Sequence, residues 1–411
     1  MSKNLATGSY RKTEIGKIPK DWEVKKIGEV AKLNLESLSG NTSEDYEFYY
    51  YDLSAIDKGK ITHPTDKIAF KNAPSRARRL FKRNDILMST VRPYLQDFSY
   101  VDFDAKDCVC STGFAVITAN HEADSKFLYY NLFSYGVTNQ INRLLVGSNY
   151  PAINTKDVEN LKIPYPQNME ERKKIGAILS TWDKAIKLKE KLIEQKKLQK
   201  KGLMQKLLNG EVRPFGSNSK VTKVRLKGLI KEIKLRNKNN KITRILSVTN
   251  SKGFIEQSEQ FDRQVASKDL SNYKVVKYGQ FAYNPSRVNV GSIDLLTKFE
   301  EGVLSPMYVV FTTVKEKLLP EYLYQFLKSK EFFNQIKSLL QGSVRQNLSF
   351  DALELIKLYV PNDLNEQKEI VKILSTADTE IALLEQELEA LKQQKKGLMQ
   401  LLLTGKVRVK V

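Results

Sequence analysis

The segment ERKKIGAILSTWD, residues 171–183, occurs a second time as EQKEIVKILSTAD at residues 366–378. The two copies are separated by 195 residues. The same offset relates KKGLMQ at 200–205 to KKGLMQ at 395–400, and GEVR at 210–213 to GKVR at 405–408. An internal repeat of this kind indicates that the chain consists of two related halves.

The repeated segments have the apolar spacing of long helices. Apolar residues recur at alternating steps of four and three, which is the heptad pattern of a coiled coil. The residues predicted to form this helix-pairing seam are Ile175, Leu179, Trp182, Ile186 and Ile193 in the first copy, and Ile370, Leu374, Ile381, Leu384, Leu388 and Leu391 in the second. Lysines interrupt the seam at Lys189, Lys196, Lys200 and Lys395. About 40 residues form a rod of roughly 60 Å, which needs a partner, and the simplest partner of each rod is the other.

Four glycines punctuate these helices. Gly202 and Gly397 lie within the helical pattern, where glycine costs about 1 kcal/mol relative to alanine, so we expect a close helix approach or a local bend there. Gly210 and Gly405 follow the last apolar positions and are expected to end the helices.

Upstream of each helix the two halves differ strongly in sequence. Apolar and aromatic runs between turn signals predict strands at 48–51, 85–89 and 114–117 in the first half, and at 280–283 and 307–311 in the second. Helices are predicted near 124–145 and 320–340. The predicted fold class is therefore α+β: two mixed α/β domains in tandem, each followed by a long helix, with the two helices pairing as an antiparallel coiled coil with pseudo-twofold symmetry. The predicted boundaries are 1–166 and 213–361 for the mixed domains, and 167–212 and 362–411 for the helices.

The composition limits the class of protein. The formal net charge is +21, and the excess lies in the middle and second half of the chain, which favours a polyanionic partner such as nucleic acid. With two cysteines and two histidines, neither a disulfide framework nor a Cys/His zinc site can be assembled, so we predict no metal. The N-terminal residues show no apolar signal segment and no membrane span is apparent, so we expect a cytoplasmic protein without membrane contact.

The order of divergent domain and long helix, twice over, resembles a known family. Together with TEIGKIPKDWE at residues 13–23 and the repeated ILST and KKGLMQ segments, it is similar to the specificity subunit (HsdS) of type I restriction-modification systems. The resemblance covers nearly the whole chain.

This resemblance implies two target-recognition domains that each read half of a split double-stranded DNA sequence. It implies paired helices that act as a spacer and docking site for two modification (methyltransferase) subunits, which restriction (translocase/nuclease) subunits join. S-adenosylmethionine, ATP and Mg are expected on those partner subunits, and no cofactor is expected in this chain.

The sequence contains no recognisable catalytic motif. There is no Asp/Asn-Pro-Pro-aromatic tetrapeptide for a flipped adenine and no glycine-rich turn for S-adenosylmethionine; NPS at 284–286 lacks the second proline. No GxxxxGK[ST] run for ATP is present either. We therefore predict a non-catalytic subunit. The alternative, a nuclease with its own active site, requires metal-dependent cleavage by the isolated chain.

Arginine bound to guanine and asparagine or glutamine bound to adenine carry sequence information, whereas lysine and arginine on phosphates carry affinity. Three arginines in SRARR at 75–79 are too dense for a core strand, and the loops at 147–150 and 342–346 present different polar residues at equivalent places. The predicted DNA-binding residues are Arg76, Arg78, Arg79, Lys82, Arg92, Ser148, Asn149 and Tyr150 in the first domain, and Asn284, Arg287, Ser343, Arg345 and Gln346 in the second. For each of them a solvated surface charge or a turn cap is the structural alternative.

Two different reading domains predict an asymmetric target, whose half-sites lie about one helical turn (~34 Å) apart. The competing hypothesis is a basic coiled-coil scaffold that binds DNA or RNA without sequence preference. Salt dependence does not separate the two, because both bind phosphates. Competition by unrelated DNA does.

Overall fold

A computed structural model describes residues 9–145, 151–214, 216–217, 219–259, 269–340 and 347–411. The chain forms two compact units: unit 1 is Met1–Glu190 with Glu387–Val411, and unit 2 is Lys191–Gln386. Both divisions fall inside the long helices, whereas the predicted domain boundaries follow the order of the sequence. Each unit therefore combines one mixed domain with part of both helices.

The elements of unit 1 precede and include the start of the first long helix. Its strands are β1 (Tyr10–Thr13), β2 (Gly16–Pro19), β3 (Trp22–Lys26), β4 (Ala31–Leu33), β5 (Glu47–Tyr51), β6 (Ile56–Asp57), β7 (Lys60–Ile61), β8 (Ile68–Ala69), β9 (Ala77–Leu80), β10 (Ile86–Ser89), β11 (Phe98–Tyr100), β12 (Cys108–Ser111), β13 (Phe114–Ala119) and β14 (Lys162–Pro166). Its helices are α1 (Ile27–Val30), α2 (Ser125–Leu132), α3 (Tyr135–Leu144), α4 (Thr155–Asn160) and the first part of α5 (Met169–Leu208).

Within its described residues, unit 2 repeats this plan with fewer strands. They are β15 (Val221–Arg225), β16 (Ile230–Ile233), β17 (Leu246–Thr249), β18 (Gly253–Glu256), β19 (Lys274–Lys277), β20 (Phe281–Tyr283), β21 (Ile293–Leu295), β22 (Glu301–Leu304), β23 (Val309–Thr313) and β24 (Lys357–Pro361). The helices are α6 (Pro320–Leu327), α7 (Lys330–Leu340), α8 (Phe350–Glu354) and α9 (Leu364–Leu403), whose last part belongs to unit 1.

Both units contain the same four-stranded antiparallel sheet, although their sequences differ. Its order is β11-β10-β13-β4 in unit 1 and β21-β20-β23-β16 in unit 2. Ala115 lies opposite Met88, and Val310, which is 195 residues further along, lies opposite Ala282. Unit 1 also has a mixed sheet, β8-β5-β12-β9, in which β5 and β12 run parallel.

The central strand β10 is buried on both faces, which is why its apolar residues form an unbroken run. Ile86 and Met88 pack into one core cluster, and Leu87, on the opposite face, packs into another. In β20, Phe281 and Tyr283 likewise pack into a different cluster from Ala282. A strand that is covered on both faces has no polar alternation. The strands predicted at 85–89 and 280–283 are thus confirmed.

Each of the two helices predicted after the sheets is divided in two by a capping serine. Ser134 Oγ accepts from Val137 N at 3.3 Å at the start of α3, and Ser329 Oγ accepts from Phe332 N at 3.3 Å at the start of α7. Serine is a preferred N-cap because its hydroxyl satisfies a free backbone N–H group of the first turn. The helical structure predicted near 124–145 and 320–340 is therefore confirmed, and it consists of two helices in each range.

The long helices α5 and α9 have 40 residues each. Gly210 and Gly405 follow their ends with φ of +79° and +67°, so the prediction that these glycines end the helices is confirmed. The close approach expected at Gly202 and Gly397 is wrong, because a Cβ built at either position meets no atom within 4 Å. The close approach occurs at Gly176 instead, where a Cβ would lie 2.9 Å from Lys126 Cβ.

Ion pairs show that α5 and α9 run antiparallel within each unit. In unit 1, Arg408 Nε lies 2.6 Å from Glu171 Oε1, and Lys395 pairs with Asp183 further along α5. In unit 2 the residues at the equivalent repeat positions pair in the same way, Arg213 with Glu366 and Lys200 with Asp378. As the residue number rises on one helix, it falls on the other. The repeat therefore preserves the pairs as well as the residues.

The lysines that interrupt the heptad seam also have acidic partners. Lys189 Nζ lies 2.7 Å from Glu387 Oε2 in unit 1, and Lys196 Nζ lies 2.6 Å from Glu380 Oε1 in unit 2. Of the predicted seam residues, Ile175, Leu179, Ile193, Ile370, Leu374 and Ile381 are buried, and Trp182, Ile186, Leu384, Leu388 and Leu391 are half-buried. A continuous coiled coil with pseudo-twofold symmetry stays a prediction.

Candidate nucleic-acid interface

The exposed Arg92 lies in a tight turn after the central strand β10 of unit 1. Thr90 donates from both its N–H and its Oγ1 to Gly113 O, at 2.8 Å each. Arg92 N then donates to Pro151 O at 2.7 Å, and Arg92 begins a short 3₁₀ turn, Pro93–Leu95. The backbone of Arg92 is left-handed, with φ of 49°, which is unfavourable for a residue with a Cβ. The surrounding hydrogen bonds hold the arginine in this conformation.

Arg76 lies on the same side of unit 1 as the Arg92 turn, because both segments bond to residues 112–113. It is exposed and precedes β9, and its carbonyl accepts from Thr112 N at 2.9 Å. Because Thr112 and Gly113 are consecutive, one turn is bonded to the Arg76 and the Thr90 segments. Neither Arg76 nor Arg92 has an ion pair among the described residues, so both guanidinium groups are free to bind an external anion.

Arg78 and Arg79 lie in strand β9, an edge strand, which is compatible with the expectation that this run is too rich in arginine for a core strand. The strand is at the edge of its sheet, and long side chains there can extend their charges to the surface. The guanidinium of Arg78 lies 4.7 Å from the centre of the Phe70 ring. Arg79 is half-buried, which lowers its pKa because burial disfavours the cation, and its Nη1 has no hydrogen bond within the described ranges.

Lys82 is exposed but follows the far end of β9 from Arg76. The four residues of the strand span about 13 Å between these two ends. Its backbone N–H donates to Asp85 Oδ2 at 2.8 Å. Burial raises the pKa of Asp85, and the hydrogen bonds from Lys82 N and Thr118 oppose the shift. The structure therefore brings Arg76 and Arg92 to one edge and places Lys82 away from them.

The second unit has an equivalent turn after β20. Asn284 is half-buried, its Oδ1 accepts from Ser286 N at 3.1 Å, and its carbonyl accepts from Arg287 N at 3.0 Å. Arg287 is exposed, begins the 3₁₀ turn Val288–Val290 and has no ion pair in the part of unit 2 that the structure describes. Asn284 thus supports the turn, and Arg287 is its free cation.

Six predicted contacts, namely Ser148, Asn149, Tyr150, Ser343, Arg345 and Gln346, lie outside the described residues. The residues that follow both loops are described, and they bond to the two arginine turns. Pro151 accepts from Arg92, as above, and Leu348 N donates to Pro285 O at 3.1 Å. The polar loops predicted as readers are therefore joined in sequence to the segments beside Arg92 and Arg287.

Sequence reasoning missed the role of the arginines at the helix ends. Arg408 donates from Nη2 to Asp21 Oδ2 at 2.7 Å in addition to its pair with Glu171. The hydrogen bond with Glu171, ahead of that with Asp21, raises the pKa of Arg408, and the hydrogen bond from Arg408 lowers the pKa of Asp21. The sequence did contain a signal for this role: GEVR at 210–213 and GKVR at 405–408 are separated by the repeat offset and keep the same arginine.

The basic flank of α5 divides into bound and free lysines. Lys197 Nζ lies 2.6 Å from Glu385 Oε1. Lys184, Lys187 and Lys191 are exposed and have no ion pair among the residues described. Free guanidinium and ammonium groups of this kind bind phosphate oxygens and base edges of nucleic acid.

Within the described ranges, no three His, Cys, Asp or Glu side chains are arranged to hold a metal, and no helix is apolar over enough length to cross a membrane.

The family profile for the type I restriction modification DNA specificity domain matches this chain twice, at residues 19–197 and 218–393. The chain belongs to this family of type I restriction-modification DNA specificity proteins. The type I restriction enzyme MjaVIII specificity subunit of Methanocaldococcus jannaschii is 28% identical over 426 residues, which cover 96% of this chain and 95% of the relative. The resemblance inferred from the repeated segments is thus confirmed.

Two solved structures share the fold. One, from work on complex assembly and conformational transition of the type I R-M system, aligns with a TM-score of 0.60 and 22% identity, over 95% of this chain and 99% of that one. The type I restriction-modification S subunit of M. genitalium aligns with a TM-score of 0.55 and 16% identity, over 93% of this chain and 96% of that one. The predicted fold class, two mixed domains in tandem with long helices, is confirmed.

Proposed function

We propose that this chain is the non-catalytic, DNA-reading subunit of a type I restriction-modification complex, and that it reads an asymmetric target in two parts. The observation that carries the proposal is the pair of arginine turns. Arg92 and Arg287 are separated by the repeat offset of 195 residues, both are exposed, and both follow the equivalent strand of the shared sheet. The neighbouring residues differ between the units, so each unit reads a different half-site.

The partners of the proposed complex are double-stranded DNA, two adenine-methyltransferase subunits and the restriction subunits. Those subunits bind S-adenosylmethionine, ATP and Mg, and this chain positions the subunits on the DNA. The exposed lysines Lys184, Lys187 and Lys191 support a contact of α5 with DNA phosphates or with a partner subunit. The length of the two 40-residue helices sets the number of unread base pairs between the half-sites.

The test is single-molecule sequencing of adenine methylation in cells that express this chain with its neighbouring methyltransferase. Cells that lack only this chain are the control. The proposal predicts a split, asymmetric methylated motif that appears only when the chain is present. Methylation that is the same in both cells, or that follows no split motif, contradicts the proposal and favours a scaffold without sequence preference.

A competition measurement separates that scaffold from a reader. The complex is bound to a labelled duplex that contains the methylated motif, and either the unlabelled motif or unrelated duplex is added. A reader keeps the labelled duplex against a large excess of unrelated DNA, because base contacts add to the phosphate contacts. A scaffold without sequence preference is displaced equally by both competitors.

A further inference from the structure

The two arginine turns are equivalent in their hydrogen bonds as well as in their position. We define the reader turn as residues 92–96 in unit 1 and 287–291 in unit 2. Leu95 N donates to Arg92 O at 2.9 Å, and Val290 N donates to Arg287 O at 3.2 Å. The next residue of each turn donates from its backbone N–H in the same way, at 3.1 Å in unit 1 and 3.0 Å in unit 2. The two units therefore share one hydrogen-bonded frame from the second residue of the turn onward, whereas the backbone of the first residue differs, with φ of 49° at Arg92 and −130° at Arg287.

Position by position, the side chains on this frame follow one pattern. The first residue is an exposed arginine and the second is buried, Pro93 in unit 1 and Val288 in unit 2. The fourth residue is an exposed aliphatic, with Leu95 42% and Val290 57% exposed. Among the exposed residues of the turn, the third changes its chemical class between the units, and the half-buried fifth residue is Gln96 in unit 1 and Gly291 in unit 2.

That third residue is Tyr94 in unit 1, 46% exposed, and the exposed Asn289 in unit 2. A phenol ring and a primary amide make different contacts with bases: the amide can pair with adenine through two hydrogen bonds, and the ring makes apolar and single hydrogen-bond contacts. Neither side chain makes a hydrogen bond to the described part of the chain. Both are available to an external partner.

The last residue of the reader turn has a positive φ in both units. Gln96 has a left-handed backbone, with φ of 60°, and its Nε2 donates to Thr138 Oγ1 at 3.0 Å. Gly291, at the equivalent place, has φ of 97°. Unfavourable backbone conformations persist where the surrounding structure determines them, and they occur often at binding sites. The frame can therefore present its exposed side chains without large rearrangement.

We propose that the reader turn enters a groove of double-stranded DNA and that Tyr94 and Asn289 are specificity-determining residues, one for each half-site. The arginine holds the turn on the DNA, and Leu95 or Val290 packs against apolar sugar or base surface. The exposed aliphatic residue of each turn favours this placement over a purely phosphate-bound surface, because an apolar side chain can contact a thymine methyl group in the major groove. This inference rests on the proposed function and assigns it to particular residues.

The experiment sequences adenine methylation in cells that express the methyltransferase with Tyr94→Ala or Asn289→Ala in the full chain. Matched controls are Tyr135→Ala, which removes another exposed tyrosine of unit 1, and Asn239→Ala, which removes another exposed asparagine of unit 2. Tyr94→Ala is expected to lower the preference at a position of one half-site by about tenfold, and Asn289→Ala to do so in the other half-site only. The controls keep the parental motif.

The outcomes separate the inference from the proposed function. A split motif in the parental cells that both variants keep at every position overturns the inference and leaves the proposed function standing. Loss of methylation at all sites, with the purified variant unfolding at the parental temperature, also overturns it, because the turn then serves affinity alone. If that variant unfolds at a lower temperature, Tyr94→Asn and Asn289→Tyr, which exchange the two residues between the units, replace the alanine variants, and an unchanged motif overturns the inference. No split motif in parental cells overturns both.

Discussion

One buried position, equivalent in the two units, holds a charged pair in unit 1 and a neutral amide in unit 2. In unit 1, Arg172 is 5% and Asp124 0% exposed, and Arg172 Nε donates to Asp124 Oδ1 at 2.6 Å. In unit 2, the repeat offset places Gln367 and Leu319 at these positions. Gln367 is fully buried, and its Oε1 accepts from Leu319 N at 2.9 Å.

Both side chains also make the same second contact. Arg172 Nη1 donates to Pro166 O at 2.7 Å, and Gln367 Nε2 donates to Pro361 O at 2.9 Å. The carbonyl at the end of the last strand before each long helix thus receives a donor from that helix. Buried carbonyl groups need such donors, whereas the charge of the donor is free to change. The two units therefore share the positions of these hydrogen bonds but differ in the charge of the side chain that donates them.

The largest expected loss of stability comes from breaking the buried Arg172–Asp124 ion pair of unit 1. Arg172→Met leaves Asp124 buried without its cation, and we expect a loss of about 3–5 kcal/mol in the free energy of unfolding of unit 1. Denaturant unfolding followed by tryptophan fluorescence measures this, because both tryptophans, Trp22 and Trp182, lie in unit 1. An unchanged denaturation midpoint would contradict the account.

The matched control converts unit 1 to the chemistry of unit 2. Asp124 also accepts from Tyr165 at 2.6 Å, so the control is the triple variant Asp124→Leu, Tyr165→Val and Arg172→Gln, which installs the three residues of unit 2. Replacement of a whole buried ion pair costs far less than removal of one partner. We expect the triple variant to lose less than about 2 kcal/mol.

The neutral version should be less sensitive to a single change. Gln367→Leu leaves Pro361 O, Lys317 O and Leu319 N without their side-chain partner. The expected loss is about 1–3 kcal/mol, because the groups left unpaired are uncharged. Denaturant unfolding followed by circular dichroism tests it, and a loss larger than that of Arg172→Met would reverse the comparison.

A smaller effect is expected where the two units differ in packing. Gly176 of unit 1 corresponds to Val371 of unit 2. Because its Cβ would lie 2.9 Å from Lys126 Cβ and 3.1 Å from Phe127 N, Gly176→Ala is expected to cost about 1–3 kcal/mol. Gly202→Ala is the matched control, and it should stabilise the chain by up to about 1 kcal/mol, since nothing lies near that Cβ. Thermal unfolding distinguishes them, and equal effects would show that no close approach exists at Gly176.

The smallest expected effect is a dependence on pH in unit 2. Burial of Glu366 acts to raise its pKa, but hydrogen bonds from Arg213 and Ser219 outweigh it, so the pKa lies below 4.5. The unfolded chain then takes up the proton first as the pH falls. The contribution of Glu366 is therefore complete above about pH 4.5 and is lost as the pH falls through its lowered pKa.

Glu366→Gln tests this sign. The variant should lose about 1 kcal/mol at pH 7, where the charged hydrogen bonds are present, and clearly less near pH 3. Asp21→Asn in unit 1 is the parallel variant, because the hydrogen bond from Arg408 lowers the pKa of Asp21 as well. Denaturation midpoints at both pH values measure the difference, and a loss that grows as the pH falls would contradict the assignment.

The repeat made much of this architecture predictable. Equal residues at one offset gave the helix-ending Gly210 and Gly405, and apolar runs gave the strands around Met88 and Ala282, because these features depend on local sequence. The equivalence of Arg92 and Arg287 was also visible from their shared offset. Such predictions succeed where a residue acts through its own backbone or its immediate neighbours.

Other features depend on contacts that are distant in sequence. Gly176 is close to α2, and nothing in its own helix distinguishes it from Gly202. Arg79 belongs to an edge strand through its pairing with Cys110, 31 positions further along the chain, and the dense arginines alone excluded only a core strand. The acidic partner of Lys189 is 198 residues away, so the interruption of the seam gave no sign of an ion pair.

An exchange of one reading domain tests whether each unit reads its own half-site. Residues 20–166 are replaced by the corresponding domain of another specificity protein of the family, the methyltransferase is kept, and the methylated motif is determined by single-molecule sequencing. The account predicts that one half of the motif changes while the other half and the gap between them stay the same. A motif that changes in both halves, or in neither, would contradict the assignment of one half-site to each unit.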